Sequence, residues 1–180
     1  MQTGDLLMVA KNNYFWTEQS KETDFIANGD IAVVRRFRRE RELYGFRFAD
    51  VLLRFPDYND LELEVKLLLD TLHTDTPALP KEMGDRLYQS VMEDYADITI
   101  KRERMKKLKA DPQYNALQVK YAYAVTCHKA QGGQWKRVFL DQGYMTEEML
   151  SPDYFRWLYT AFTRATETLY LVNWPKEQTE

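Results

Sequence analysis

Between Thr126 and Gly133 the chain reads TCHKAQGG, so a threonine, a cysteine, a histidine, a lysine, a glutamine and two glycines fall within eight positions. Thr126 and His128 can donate to phosphate oxygens, Lys129 adds a positive charge, and Gly132-Gly133 lets backbone come close to a ligand. A tight strand-to-helix turn with solvated polar residues would use the same residue types, so the composition of the loop leaves both readings open. Cys127 beside His128 suggests a thiol nucleophile, but neighbours on extended backbone point to opposite sides. One cysteine and two histidines, His73 and His128, cannot make a closed zinc set without carboxylates. Cys127 reads instead as a small buried residue. The second polar cluster is WLYTAFTRAT, Trp157–Thr166. Its Arg164 either favours a helix C-terminus, an effect of about 0.3–1 kcal/mol, or presents a planar fork to a phosphate whose charge develops in phosphoryl transfer.

Strands and one helix are expected to hold these residues. VKYAYAVT (Val119–Thr126), WKRVFLD (Trp135–Asp141) and TLYLVN (Thr168–Asn173) read as strands. A helix between the last two has a written start, with Ser151 as N-cap, Pro152 at the first helical position and Asp153 in the first turn. The order strand, loop, strand, helix, strand favours a parallel α/β sheet. In such sheets ligands gather at the carboxyl ends of strands, where the loop after Val119–Thr126 lies.

Upstream, DLLMVA (Asp5–Ala10) and GDIAVVRRF (Gly29–Phe37) read as strands opened by Gly-Asp pairs, and FRFADVLLRF continues the β character up to PDYND. Two helical stretches follow, KEMGDRLYQSVMEDYA with Met83, Leu87, Val91 and Tyr95 at fourth positions, and IKRERMKKLKAD; DPQYN then breaks the pattern. The middle of the chain therefore reads as an insertion, with no internal repeat and no Gly/Ser/Pro-rich linker.

Taken together, AVTCHKAQGGQW and LYTAFTRATETLYLV resemble motifs V and VI of superfamily 1 DNA helicases, most closely the RecD-like branch. The resemblance runs over about Leu117–Asn173 and more loosely over Gly4–Phe37, where NNY and NGDIAVV are similar to the family's approach to a small β-barrel insertion. It implies an α/β fold: a RecA-like parallel sheet, the second motor domain of a P-loop helicase, with an inserted small β-barrel-like and helical subdomain. Residues 1–37 and 111–180 would form the motor domain and residues 38–110 the insertion. By the same resemblance Thr126 and His128 face single-stranded DNA, Lys129, Gln131 and Gly132 lie near the interdomain ATP cleft, and Arg164 is the arginine finger. Gln134 stands where the family usually has a glutamate on the nucleotide ribose; it can accept a hydrogen bond but brings no charge.

The chain contains no G-x-x-x-x-G-K-[ST] loop and no convincing acidic Walker B pair. ATP and Mg²⁺ are therefore expected to require an N-terminal RecA-like domain of the same protein, and this chain alone is expected to be inactive as an ATPase. Polarity of 5′ to 3′ follows from the branch resemblance. The rival expectation is a stand-alone nucleic-acid-binding or adaptor module.

Composition sets the remaining bounds. The 180 residues, 44% hydrophobic and 29% charged, are enough for one domain or one domain with an insertion. A net charge of −3 argues against general coating of nucleic acid and leaves local contacts open. A single cysteine excludes an internal disulfide. No apolar run approaches a membrane span, no secretion signal is evident, and the cytoplasm is the expected compartment. RRFRRER (Arg35–Arg41) and KRERMKKLK (Lys101–Lys109) are either solvated faces or backbone contacts. Tyr14, Phe15 and Trp16 either stack on bases or pack into a core.

Overall fold

The computed structural model describes residues 1–18 and 20–175. The chain divides into two compact units, Met1–Tyr123 and the segment from Ala124 onward.

In the first unit, five strands close a barrel: β1 (Leu6–Val9), β2 (Ile31–Leu43), β3 (Phe46–Phe55), β4 (Leu61–Leu68) and β5 (Leu117–Tyr121). β1 pairs antiparallel with both β2 and β5, β2 with β3, and β3 with β4; a short parallel contact, Leu67 opposite Leu117, closes the ring. Alternate residues point inward, as the two-residue period of a strand requires. Leu7, Val9, Ala32, Val34, Val51, Leu53, Phe55, Val65, Leu67, Leu117 and Val119 thereby form one core. Register irregularities in β2 at Val34/Arg36 and Phe37/Arg39 bend that long strand around the barrel. The β2–β3 hairpin turns on Tyr44 and Gly45, at φ 57° and 70°. A two-residue turn with positive φ at both positions matches the twist of the flanking strands.

Two helices, α1 (Lys81–Asp94) and α2 (Lys101–Lys109), cover one side of the barrel. Leu87, Val91 and Leu108 from these helices pack with Phe46, Phe48, Leu68 and Ala116 in a second core. Thr71 is fully buried, and its hydroxyl is satisfied between chain segments: it donates to a carbonyl, with Leu68 O at 2.7 Å, and accepts from Val119 N–H at 3.1 Å. The basic run of β2 is partly neutralised by β4, through Arg35–Glu62 and Arg38–Glu64 ion pairs on the exposed surface. In α2, Arg104 turns back to donate to the Ala96 and Ile98 carbonyls.

The second unit contains β6 (Trp135–Asp141), α3 (Pro152–Phe162) and β7 (Ala165–Val172). β6 and β7 pair in parallel, with Phe139 opposite Tyr170, and α3 makes the crossover. The start of α3 follows its sequence: Ser151 Oγ accepts from Tyr154 N–H at 3.3 Å and Pro152 opens the helix.

The RecA-like parallel sheet expected from the sequence does not form. The chain is a small mixed α/β protein with a closed five-stranded barrel, and its pairings are mostly antiparallel. The expected strand Val119–Thr126 ends at Tyr121, and β5 has both edges occupied, by β1 and by β4. Beyond it, Ala122 N–H bonds to Leu6 O at 2.9 Å and the Tyr123 hydroxyl donates to Asp5 at 2.6 Å, which ties the chain to the barrel. Apart from the short β4–β5 contact, β6 with β7 is the one parallel pairing among the described residues.

Candidate functional site

The loop from Thr126 to Gln134 enters β6, and it is built as two successive tight turns. Ala130 N–H lies 3.1 Å from both the Thr126 and Cys127 carbonyls, Gln131 N–H bonds to His128 O at 3.4 Å, and Gly133 N–H bonds to Ala130 O at 3.1 Å. The buried methyl of Ala130 anchors the first turn. Gly132 has φ +86°, a left-handed conformation that favours glycine. At Gly133 a Cβ would come within 2.4 Å of the Trp135 indole, so the absence of a side chain is what allows the ring to lie against the backbone. These glycines therefore shape the loop whatever it binds.

Arg164 follows the last turn of α3 and immediately precedes β7. Its Nε donates to Thr160 O at 2.9 Å, one Nη donates to Gly133 O at 2.8 Å, and the other donates to Thr163 Oγ1 at 3.0 Å. The bond to Thr160 satisfies a helix-end carbonyl, as a cation at a C-terminus should. The bond to Gly133 does something more specific, because it joins the end of α3 directly to the polar loop. The same junction is fixed by backbone, since Trp135 N–H donates to Arg164 O at 2.9 Å.

The loop side chains face solvent. Thr126, His128, Lys129, Gln131 and Gln134 are exposed, as is Gly132, whereas Arg164 is half-buried. An open cavity of about 390 Å³ lies between the loop and α3, lined by Cys127, His128, Gln131, Arg156, Trp157 and Thr160 among others. His128 and Gln131 are thus brought together, while Thr126, Lys129, Gly132 and Gln134 lie elsewhere on the same loop. Arg156 and Trp157 were not anticipated as site residues; the signal available was a charged residue inside the aromatic-rich stretch YFRWLY. Arg156 is held by Asp153, one turn earlier, at 2.7 Å.

Cys127 behaves as a structural residue. Its thiol donates to Trp157 O at 3.6 Å, and burial pushes its pKa up, with the nearby Arg164 charge opposing this in part. A raised pKa keeps the sulfur protonated and makes it a poor nucleophile.

Among the described residues no three His, Cys, Asp or Glu side chains cluster as metal ligands, and no helix is long and apolar enough to cross a membrane. No curated protein matches the chain. Residues 121–172, which contain the loop, α3 and Arg164, match the family of UvrD-like helicase C-terminal domains, so this segment is similar to the C-terminal domain of a superfamily 1 helicase.

Proposed function

We propose that this chain is part of an ATP-dependent DNA helicase of RecD-like type, in which residues 124–175 couple a nucleotide to a single DNA strand. One observation carries the reading: Arg164 is hydrogen-bonded to the Gly133 carbonyl, inside the loop that bears the strand-facing and nucleotide-facing residues. In the assembled enzyme Thr126 and His128 contact the DNA backbone, and Lys129, Gln131, Gly132 and Gln134 face ATP held by an N-terminal RecA-like domain. Arg164 exchanges its bond to Gly133 for the γ-phosphate when that domain closes. The exchange moves the loop, and strand contact then follows nucleotide state.

The residues present suit only part of this chemistry. They include an arginine fork and a lysine for phosphate oxygens, but the described residues bring no carboxylate cluster together for Mg²⁺. The metal and most of the triphosphate would be held by the companion domain, where Mg²⁺ neutralises developing charge. The test is strand-stimulated ATP turnover in the protein carrying that domain. Arg164→Ala should lower kcat by about 10³-fold or more, the scale of an arginine finger, with strand affinity retained. Turnover within a few-fold of wild type would sink the proposal. The 180-residue chain alone should give no strand-stimulated turnover.

A binding module without ATPase activity is the second reading. It is favoured by the inward aim of Arg164, all of whose observed bonds are to its own unit. Loss of turnover in Arg164→Ala would reject it.

A further inference from the structure

The sequence places three aromatics together at Tyr14, Phe15 and Trp16, and the structure gives them different tasks. Trp16 donates its indole N–H to Asn115 O at 2.8 Å and takes the edge of Phe15 at a centroid distance of 4.8 Å, so these two pack within the barrel unit. Tyr14 is 63% exposed. One face of its ring stacks on Phe25, at 5.1 Å and 26° between planes, which leaves the ring held from behind with solvent before it. The loop that presents it is braced by the side chain of Asn13. Asn13 Oδ1 accepts from the Phe15 and Trp16 N–H groups, and Asn13 Nδ2 donates to Asn115 O at 2.9 Å.

Tyr14 borders a groove of about 570 Å³ in the barrel unit, between its own loop, the start of α1 and the segment leading into β5. Tyr88 and Tyr114, edge to face at 6.2 Å, add aromatic surface. Lys11 and Lys81 also line the groove, and neither has an ion-pair partner among the described residues. Asp85 is the one carboxylate in the lining, so two ammonium groups outweigh it. A pre-held aromatic face with unpaired cations beside it suits a ligand that alternates planar rings with negative charges. A duplex would withhold its base faces, and an acidic peptide would have no use for the ring.

We propose that this groove binds single-stranded nucleic acid, stacking an unpaired base on Tyr14 and placing backbone phosphates near Lys11 and Lys81. The site belongs to the barrel unit, and its assignment does not depend on the helicase reading of residues 124–175. Stacking on one aromatic ring changes affinity by roughly 10-fold or more, and each phosphate contact on a single strand adds about 0.7 to the slope of log affinity against log salt.

The experiment is anisotropy titration of a fluorescein-labelled 15-nucleotide oligo(dT) with the full chain. Tyr14→Ala should weaken binding about 10-fold, and Tyr14→Phe should restore it, because the ring and not the hydroxyl does the stacking. Lys11→Ala/Lys81→Ala should lower the salt slope by about 1.4. Thr126→Ala/His128→Ala separates the two sites: the Tyr14-dependent part of binding should survive it even if the loop reading fails. Affinity and slope unchanged in both the Tyr14 and the lysine variants would overturn the proposal. So would thymidine 5′-monophosphate binding as tightly as the oligomer, which would mark a free-nucleotide pocket, or a duplex of equal length binding equally well.

Discussion

Gly132 and Gly133 constrain the loop in different ways, and substitution should separate them. Gly132→Ala meets no neighbouring atom but must hold a Cβ at φ +86°, a strain of about 1–2 kcal/mol. Gly133→Ala has ordinary backbone freedom but displaces the Trp135 indole from the chain. We expect Gly133→Ala to change Trp135 fluorescence and Gly132→Ala to leave it near wild type while lowering stability; the same spectral change in both variants would contradict this division. Cys127 gives a second check at this scale. Because burial raises its pKa, less of the sulfur is thiolate at neutral pH than in an exposed cysteine. Iodoacetamide should therefore label native protein more slowly at pH 8 than protein unfolded in urea, and equal rates would mean the thiol is not shielded.

Within the barrel, magnitudes decide which residues hold the elements together. Leu53 on β3 is fully buried, and Leu53→Ala should cost about 2–5 kcal/mol through lost transfer energy and a cavity. Arg38 and Glu64 form an ion pair with both side chains largely exposed, so Arg38→Ala should cost less than about 1 kcal/mol. Urea midpoints at constant slope would measure both, and a larger loss at Arg38 would mean that the basic run has a structural task its exposure does not reveal. Asp5 and Tyr58 each carry part of the pH dependence of the same unit. The Tyr123 hydroxyl, followed by the Gln2 N–H, holds Asp5 below the ordinary carboxylate range against the opposing effect of burial. Stability from Asp5 is thus present at neutral pH and is lost as pH falls through its lowered pKa, below about pH 4. Tyr58 is pushed up to about 12, first by burial and then by its 2.5 Å bond to Asp30. Its contribution is intact below pH 10 and is lost as pH rises from 10 toward 12. In Tyr58→Phe the alkaline decline of the urea midpoint should be shallower than in wild type; an unchanged decline would assign it to other tyrosines.

These elements also show what sequence periodicity can carry. The expected strand Trp135–Asp141 is β6 with the same ends, and the Ser151-Pro152 signal marks the start of α3 because a cap is a local hydrogen bond. Beta character at Asp5–Ala10 and Phe46–Phe55 was legible, since alternation records that one face is buried. Partners were not legible. β5 pairs with β1 across more than a hundred residues, and nothing in the five residues LQVKY distinguishes a barrel strand from a strand of a parallel sheet. β character was expected to continue from Arg38, but not as one strand with Gly29–Phe37; β2 runs unbroken through the charged RREREL, because an exposed hairpin arm needs backbone pairing and not apolar side chains. Thr126, His128, Lys129 and Gly132 stood out as candidates by residue type, and Gln131 and Gln134 entered through the family resemblance, whereas Arg156 and Trp157 adjoin the loop only once α3 is folded beside it.

At the scale of the whole chain, the two units differ sharply in how much apolar surface they bury. The barrel unit encloses two hydrophobic clusters built from leucine, isoleucine, valine and phenylalanine. In the second unit the buried apolar residues among those described are Ala130, Leu140 and Ala161, while Phe139, Phe155, Tyr159 and Tyr170 are exposed. Phe139 and Tyr170 stack at 4.5 Å across β6 and β7, yet a parallel pair normally needs cover on both faces. A two-stranded sheet of this kind is marginal in water. Calorimetry of the chain should accordingly resolve two transitions, with residues 124–175 unfolding first and losing amide protection well before β3 and β4. If the companion domain of the proposed helicase supplies the missing cover, adding it should raise the first transition and leave the second unchanged, by the linkage that stabilises any folded state a partner binds. A single cooperative transition, with protection lost together in β3 and β6, would mean that the barrel already stabilises the second unit.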